Sequence, residues 1–166
     1  AALLGNNHNF VGAITVASGA TLTTNGKLTL TSTSSNSGSI GNSAGAISGN
    51  VTLQRYLPSK RAFRFFGHPF STTQPLSALT DDIDITGTGG STNGFTATSS
   101  NNPSAFYWDP SAADNTTGGN NPGWSAATSA TANTWAKGAL ARILVRGSKG
   151  QGLTGGSYTP SNVTME

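Results

Sequence analysis

Asn25-Gly26-Lys27-Leu28-Thr29-Leu30 decides the reading of the first third of this chain. Asn and Gly both tolerate positive φ, so Asn25-Gly26 marks a tight turn. Leu28-Thr29-Leu30 alternates apolar, polar, apolar, the period-2 signature of a strand with one buried face. The same triplet recurs as Ile14-Thr15-Val16 and Val51-Thr52-Leu53, with turn formers between at Ser18-Gly19, Ser37-Gly38 and Ser48-Gly49-Asn50. From Val11 to Gln54 the one charge is Lys27, and no aromatic ring is present to fill a wide core. Two architectures satisfy this pattern. One is a narrow stacked coil, a short β-solenoid whose rungs each bury one or two aliphatics on the next. The other is a β-meander, kept open by the uneven spacing of the triplets.

Composition agrees with short strands and many turns. Gly, Ser, Thr and Asn supply 82 of the 166 residues, and 15 carry a charge. A disordered tail would be far more charged. A chain of this length buries roughly 70% of its unfolded surface, so it folds without disulfides. The absence of Cys excludes a disulfide framework and thiolate metal sites. Nine basic and six acidic residues give a net charge of +3 without a strong field. No run of 18 apolar residues exists to form a membrane-spanning helix, and no membrane insertion is expected. Ala1-Ala2-Leu3-Leu4 is too short for a signal peptide and lacks a basic start. With no initiator Met, the expectation is a processed or excerpted chain.

The composition changes near residue 51. Eight of the nine basic residues and twelve of the thirteen aromatics follow Gln54. Val51 to Tyr56 and Arg61 to Phe66 alternate as strands, the second with Arg61, Phe63 and Phe65 on one face. Phe106-Tyr107-Trp108 is a short aromatic strand ended by Asp109-Pro110. Ala139, Ala141, Ile143 and Val145 alternate with Leu140, Arg142, Leu144 and Arg146. Gly138 and the threonines and asparagines before it argue against a helix over 126–146. Segments 86–104 and 109–123 read as long polar loops. The expected fold is all-β: a stacked-strand region over 1–50, then an antiparallel β-sandwich over 51–166, with one continuous domain as the alternative.

Val51-Thr52-Leu53-Gln54-Arg55-Tyr56-Leu57-Pro58-Ser59-Lys60-Arg61-Ala62-Phe63-Arg64-Phe65 resembles a segment common in large secreted surface proteins of Bacteroidota bacteria. Val16 to Thr23, and Trp135-Ala136-Lys137-Gly138 leading to Ile143-Leu144-Val145-Arg146-Gly147, are similar to stretches of the same proteins. The chain departs at Ala139, where that family often has an aromatic. The resemblance implies type IX secretion, attachment at the cell surface, and roles in adhesion, gliding or matrix. It supplies no catalytic residues.

Candidate chemistry is sparse. Gly41-Asn42-Ser43-Ala44-Gly45 matches G-x-S-x-G, but lacks the strand before and helix after that expose a nucleophile. His8 and His68 are the two histidines, and His68 between Gly67 and Pro69 reads as a turn residue. Asp81, Asp82 and Asp84 form the acidic cluster, a candidate Ca²⁺ loop set against a solvated loop. Arg55, Lys60, Arg61 and Arg64 interleave with Tyr56, Phe63, Phe65 and Phe66, but no basic stripe extends them, so nucleic-acid binding is not expected; the rings read as core, with the arginines pairing to Asp81–Asp84 or stacking on rings. Gly147 to Gly152 lacks P-loop spacing and reads as a hairpin loop. Tyr107, Trp108 and Trp124 flank polar loops and are candidates for stacking on glycans, against a role as core.

The expectation is a non-catalytic extracellular structural or adhesive module of a bacterial surface protein. Its partners would be copies of itself or other surface components. Ser161 to Glu166 alternates like a strand and Ala1 to Leu4 is apolar. Ala1, Leu3, Leu4, Val163 and Met165 are therefore candidates for self-association into filaments by strand exchange. The alternative is a carbohydrate-binding module of a secreted protein.

Overall fold

The computed structural model describes residues 1–109, 123–153 and 158–165. It is mostly β, in several sheets, none of them closed. Two compact units emerge: residues 1–58 with the chain from Pro160 onward, and residues 59–159. The first unit holds β1 (Ala2–Leu3), β2 (His8–Phe10), β3 (Ala13–Ile14), β4 (Thr21–Thr23), β5 (Leu28–Leu30), β6 (Ser39–Ile40), β7 (Ala46–Ser48) and β8 (Val51–Leu57). The second holds β9 (Ala62–Phe66), β10 (Gln74–Pro75), β11 (Ala105–Trp108), β12 (Trp124–Ala126), β13 (Thr134–Trp135) and β14 (Ala141–Val145). β15 (Ser161–Met165) returns to the first. The compositional shift at residue 51 falls at the start of β8, inside the first unit.

Among β1 to β8 the pairing is parallel and skips two strands each time. β1 pairs with β4 and β4 with β7; β2 pairs with β5 and β5 with β8; β3 pairs with β6. Parallel neighbours cannot be joined by a tight hairpin, and here the two intervening strands make the connection. Asn25 and Gly26 adopt φ of 52° and 70°, and the Lys27 N–H donates to the Thr24 carbonyl at 2.8 Å. That turn delivers Leu28 and Leu30 to the interior beside Leu53, each at most 3% exposed. The buried Thr24 hydroxyl reaches the carbonyls of Asn50 at 2.6 Å and Ser48 at 3.2 Å, so it is not left unpaired. Gly45 admits the close approach of neighbouring backbone: a Cβ there would collide with the carbonyl oxygens of Ala17 and Ala20. β15 adds antiparallel to β8 and seals the interior with Val163 and Met165.

The second unit centres on an antiparallel sheet of order β12-β11-β14-β9, with β10 and β13 paired separately. β14 alternates as its sequence dictates. Ala141, Ile143 and Val145 are fully buried, whereas Arg142 and Leu144 are half-buried on the other face. Leu76, Leu79, Ile83 and Ile85 are also fully buried. No helix spans 126–146. Asn133 instead organises a tight loop, its Oδ1 accepting from the N–H groups of Thr128 at 2.7 Å and Ser129 at 2.8 Å. Segment 86–104 is tied down rather than open: Phe95 is buried, and Thr98 and Asn101 exchange hydrogen bonds at 2.8 and 2.9 Å. Most of the other expected long loop, 110–122, lies outside the described residues.

Candidate functional site

The outer face of the β12-β11-β14-β9 sheet carries aromatic rings. Register aligns Phe65, Arg142, Phe106 and Ala126 in one cross-strand row, places Phe63 opposite Leu144, and sets Trp108 opposite Trp124. These positions alternate with the buried Ala141, Ile143 and Ala105, so all of them face away from the core. Phe65 is 59% exposed, Trp108 57% and Phe63 41%. One exposed ring is ordinary, but several contiguous ones mark a contact surface.

The rings hold one another. Phe63 meets Phe106 edge-on at 6.0 Å, Phe65 tilts onto Trp124 at 5.7 Å, and Trp108 meets Trp124 edge-on at 5.4 Å. The Arg142 guanidinium lies 4.0 Å from the Phe63 ring centre and 5.4 Å from that of Trp124. Such cation–π contacts contribute roughly 0.5–1 kcal/mol each at exposed sites. Arg142 therefore fixes the rings and places a positive charge among them.

At one end of this face, Phe65, Tyr107, Trp108, Trp124, Trp135 and Leu140 line an open cleft of about 570 Å³. That volume lies in the range of small-ligand sites. Trp135 is 2% exposed, and its indole N–H has no hydrogen-bond partner among the described residues. His68 braces Trp135 from behind, with Nε2 at 2.9 Å from the Trp135 carbonyl oxygen, and its ring stacks on Phe70. Tyr107 is an anchor: its hydroxyl donates to the Asn133 carbonyl at 3.3 Å, and burial pushes its pKa well above the ordinary tyrosine value. The neutral phenol is thus favoured in the folded chain, while the unfolded chain ionises near pH 10. The unfolded state then binds fewer protons, so stability falls as pH rises from about 10. Urea unfolding repeated between pH 9 and 11 should show a smaller fall in Tyr107→Phe than in the parent.

The three residues expected to stack on glycans, Tyr107, Trp108 and Trp124, all line the cleft, with Tyr107 anchored through its hydroxyl. The acidic cluster is divided. Asp81 is exposed and Asp82 half-buried, while Asp84 is buried. The Asp84 carboxylate accepts from the Thr96 hydroxyl at 3.0 Å and from the Gly150 N–H at 2.9 Å. The Gly-rich 147–152 segment thus clamps the acidic turn, aided by the Lys149 ammonium on the Thr80 carbonyl. Among the described residues, no three His, Asp or Glu side chains gather as a metal site. Ser43 of the G-x-S-x-G match accepts from the Val16 N–H at 2.9 Å and donates to the Gly41 carbonyl at 3.2 Å, as a turn residue does. Ser43 belongs to the first unit and His68 to the second.

The terminal candidates separate. Val163 and Met165 are buried in β15 against β8 of the same chain. Ala1 and Leu3 are exposed, Leu3 by 69%, with Leu3 in the edge strand β1; Leu4 donates its N–H to the Thr23 carbonyl. Phe63 and Phe65, expected in the core, lie instead on the exposed face, and Arg142 joins them there without any sequence expectation of a site. Their alternation was visible, but nothing local says which face of a strand is covered. Compared with family models, curated proteins and solved structures, the chain matches none.

Proposed function

We propose that this chain is a non-catalytic adhesive module of an exported bacterial surface protein, making its contacts through the aromatic face of the second unit. The observation that carries this is the contiguous set of exposed rings around Arg142. The resemblance of Val51 to Phe65 supports an extracellular location at the cell surface. The skip-two parallel pairing supports reading the first unit as a short β-solenoid, and the two-faced antiparallel sheet supports a sandwich-like second unit.

A glycan is the ligand that the cleft fits best. Pyranose rings present flat C–H faces that stack on Trp and Phe, and the exposed Phe65 and Trp108 rings at the cleft offer that surface. Glycan-array binding by the intact chain tests this. Trp108→Ala and Trp124→Ala should each weaken binding by about tenfold or more, the range for loss of an aromatic anchor. An array without bound glycans, or binding unchanged in both variants, overturns the glycan assignment.

Self-assembly is the second reading. Leu3 projects from an edge strand whose backbone can accept another strand. Exchange through β15 would require that strand to leave its own sheet.

A further inference from the structure

Arg61 and Arg146 take facing positions one step beyond the β9–β14 ladder, which reads Ala62 opposite Val145 at its end. Like charges placed directly across two strands repel. Both residues line a second pocket of about 330 Å³, together with Thr98, Ser99, Ser100 and Asn102. Arg146 is held in place by its Nε–H, which donates to the Leu153 carbonyl at 3.2 Å. Its Nη1 is buried and has no hydrogen-bond partner among the described residues. Burial, and then the Arg61 charge, pull the Arg146 guanidinium below its ordinary pKa.

Two neighbours act on Arg146 in the opposite sense, Tyr158 and Asp84. Neither satisfies Nη1. The Asp84 carboxylate accepts from Thr96 and Gly150 and makes no hydrogen bond to Nη1. The Tyr158 hydroxyl is itself buried and unpartnered among the described residues. The pocket therefore brings together two guanidinium groups against one neighbouring carboxylate, a donor with no acceptor, and a hydroxyl-rich wall. A buried polar group left unpaired is costly, and a charge-assisted bond to it is among the stronger hydrogen bonds.

We propose that this pocket binds an oxyanion, a carboxylate or sulfate group on a sugar-sized polar ligand. Arg146 Nη1 is the donor and Arg61 the second charge. The oxyanion relieves the Arg61–Arg146 repulsion and satisfies the orphaned donor, while the serine and threonine wall faces the hydroxyls of the ligand. This site is separate from the aromatic cleft and does not depend on it.

Titration calorimetry of the intact chain at constant ionic strength tests the proposal, with sodium glucuronate, sodium sulfate and glucose as probes. Saturable binding is expected for glucuronate, for sulfate or for both, and none for glucose. Glucuronate alone assigns a carboxylate, and sulfate alone assigns a sulfate group. Arg61→Gln, at an exposed position, should keep the fold and weaken binding by about tenfold or more. Arg146→Gln should weaken it further. Trp108→Ala should leave it unchanged, which separates this pocket from the cleft. The proposal is overturned if neither anion binds saturably, or if Arg61→Gln binds as tightly as the parent.

Discussion

Cutting the chain after Thr159 is expected to unfold the first unit. β15 forms a five-residue antiparallel ladder with β8, from Ser161 opposite Leu57 to Met165 opposite Leu53. Val163 and Met165 are 0% and 1% exposed. Removing them leaves β8 with a row of unpaired backbone groups and uncovers Leu53 and Leu57, both buried beside the ladder. Truncating one such side chain to Ala costs about 2–5 kcal/mol. Losing the whole strand removes several at once, against a total stability of roughly 5–15 kcal/mol. Hydrogen exchange should show protection lost across β5 and β8 while β14 remains protected. A synthetic peptide of residues 159–166, added in excess, should restore it. Protection unchanged after truncation would mean that β15 is dispensable. Restoration by the peptide would also establish the step that strand exchange between copies requires.

Ile143→Ala should be among the most damaging single substitutions in the second unit. Ile143 sits in β14, one of the two inner strands, opposite Ala105 on one side and Arg64 on the other, and is fully buried. The lost transfer energy and the cavity left behind place the cost at about 2–5 kcal/mol. Leu144, the next residue, lies half-exposed on the outer face. Leu144→Ala should cost less than about 1 kcal/mol, as surface changes do. Urea unfolding of the two variants checks the contrast. Equal costs would mean that the outer face is packed as tightly as the inner one.

Local order was readable where one residue type has one physical use. Asn25-Gly26 gave a turn because both residues tolerate positive φ, and both adopt it. The alternation from Ala141 to Val145 gave a strand against a helix, and the buried residues fall on every second position. Two of the three apolar-Thr-apolar triplets, at 28–30 and 51–53, lie side by side in β5 and β8. The third does not join them. Ile14 pairs with Ile40, and the partner of Leu28 on the other side is His8, which no apolar pattern announces.

The site was less legible. Trp108 and Trp124 were candidates because they flank polar loops, and both line the cleft. Phe63 and Phe65 share a strand face in any reading of Arg61 to Phe66. Whether that face meets a core or solvent depends on which other elements cover it, and period-2 alternation carries no such information. Arg142 shows the same limit. Its place among the rings follows from the cross-strand register of β9, β14 and β11, which only the folded chain specifies. Asp84 is the converse case. It belonged to an acidic cluster in sequence, yet a glycine 66 positions away takes one of its oxygens.

Urea unfolding of the double variant Phe65→Ala/Trp108→Ala puts the central claim to its most direct test, because exposed rings held ready for a partner contribute little to the fold. The double variant should lie within about 1 kcal/mol of the parent. A loss above about 3 kcal/mol, the range of buried aromatic truncation, would contradict the account and make these rings part of the core.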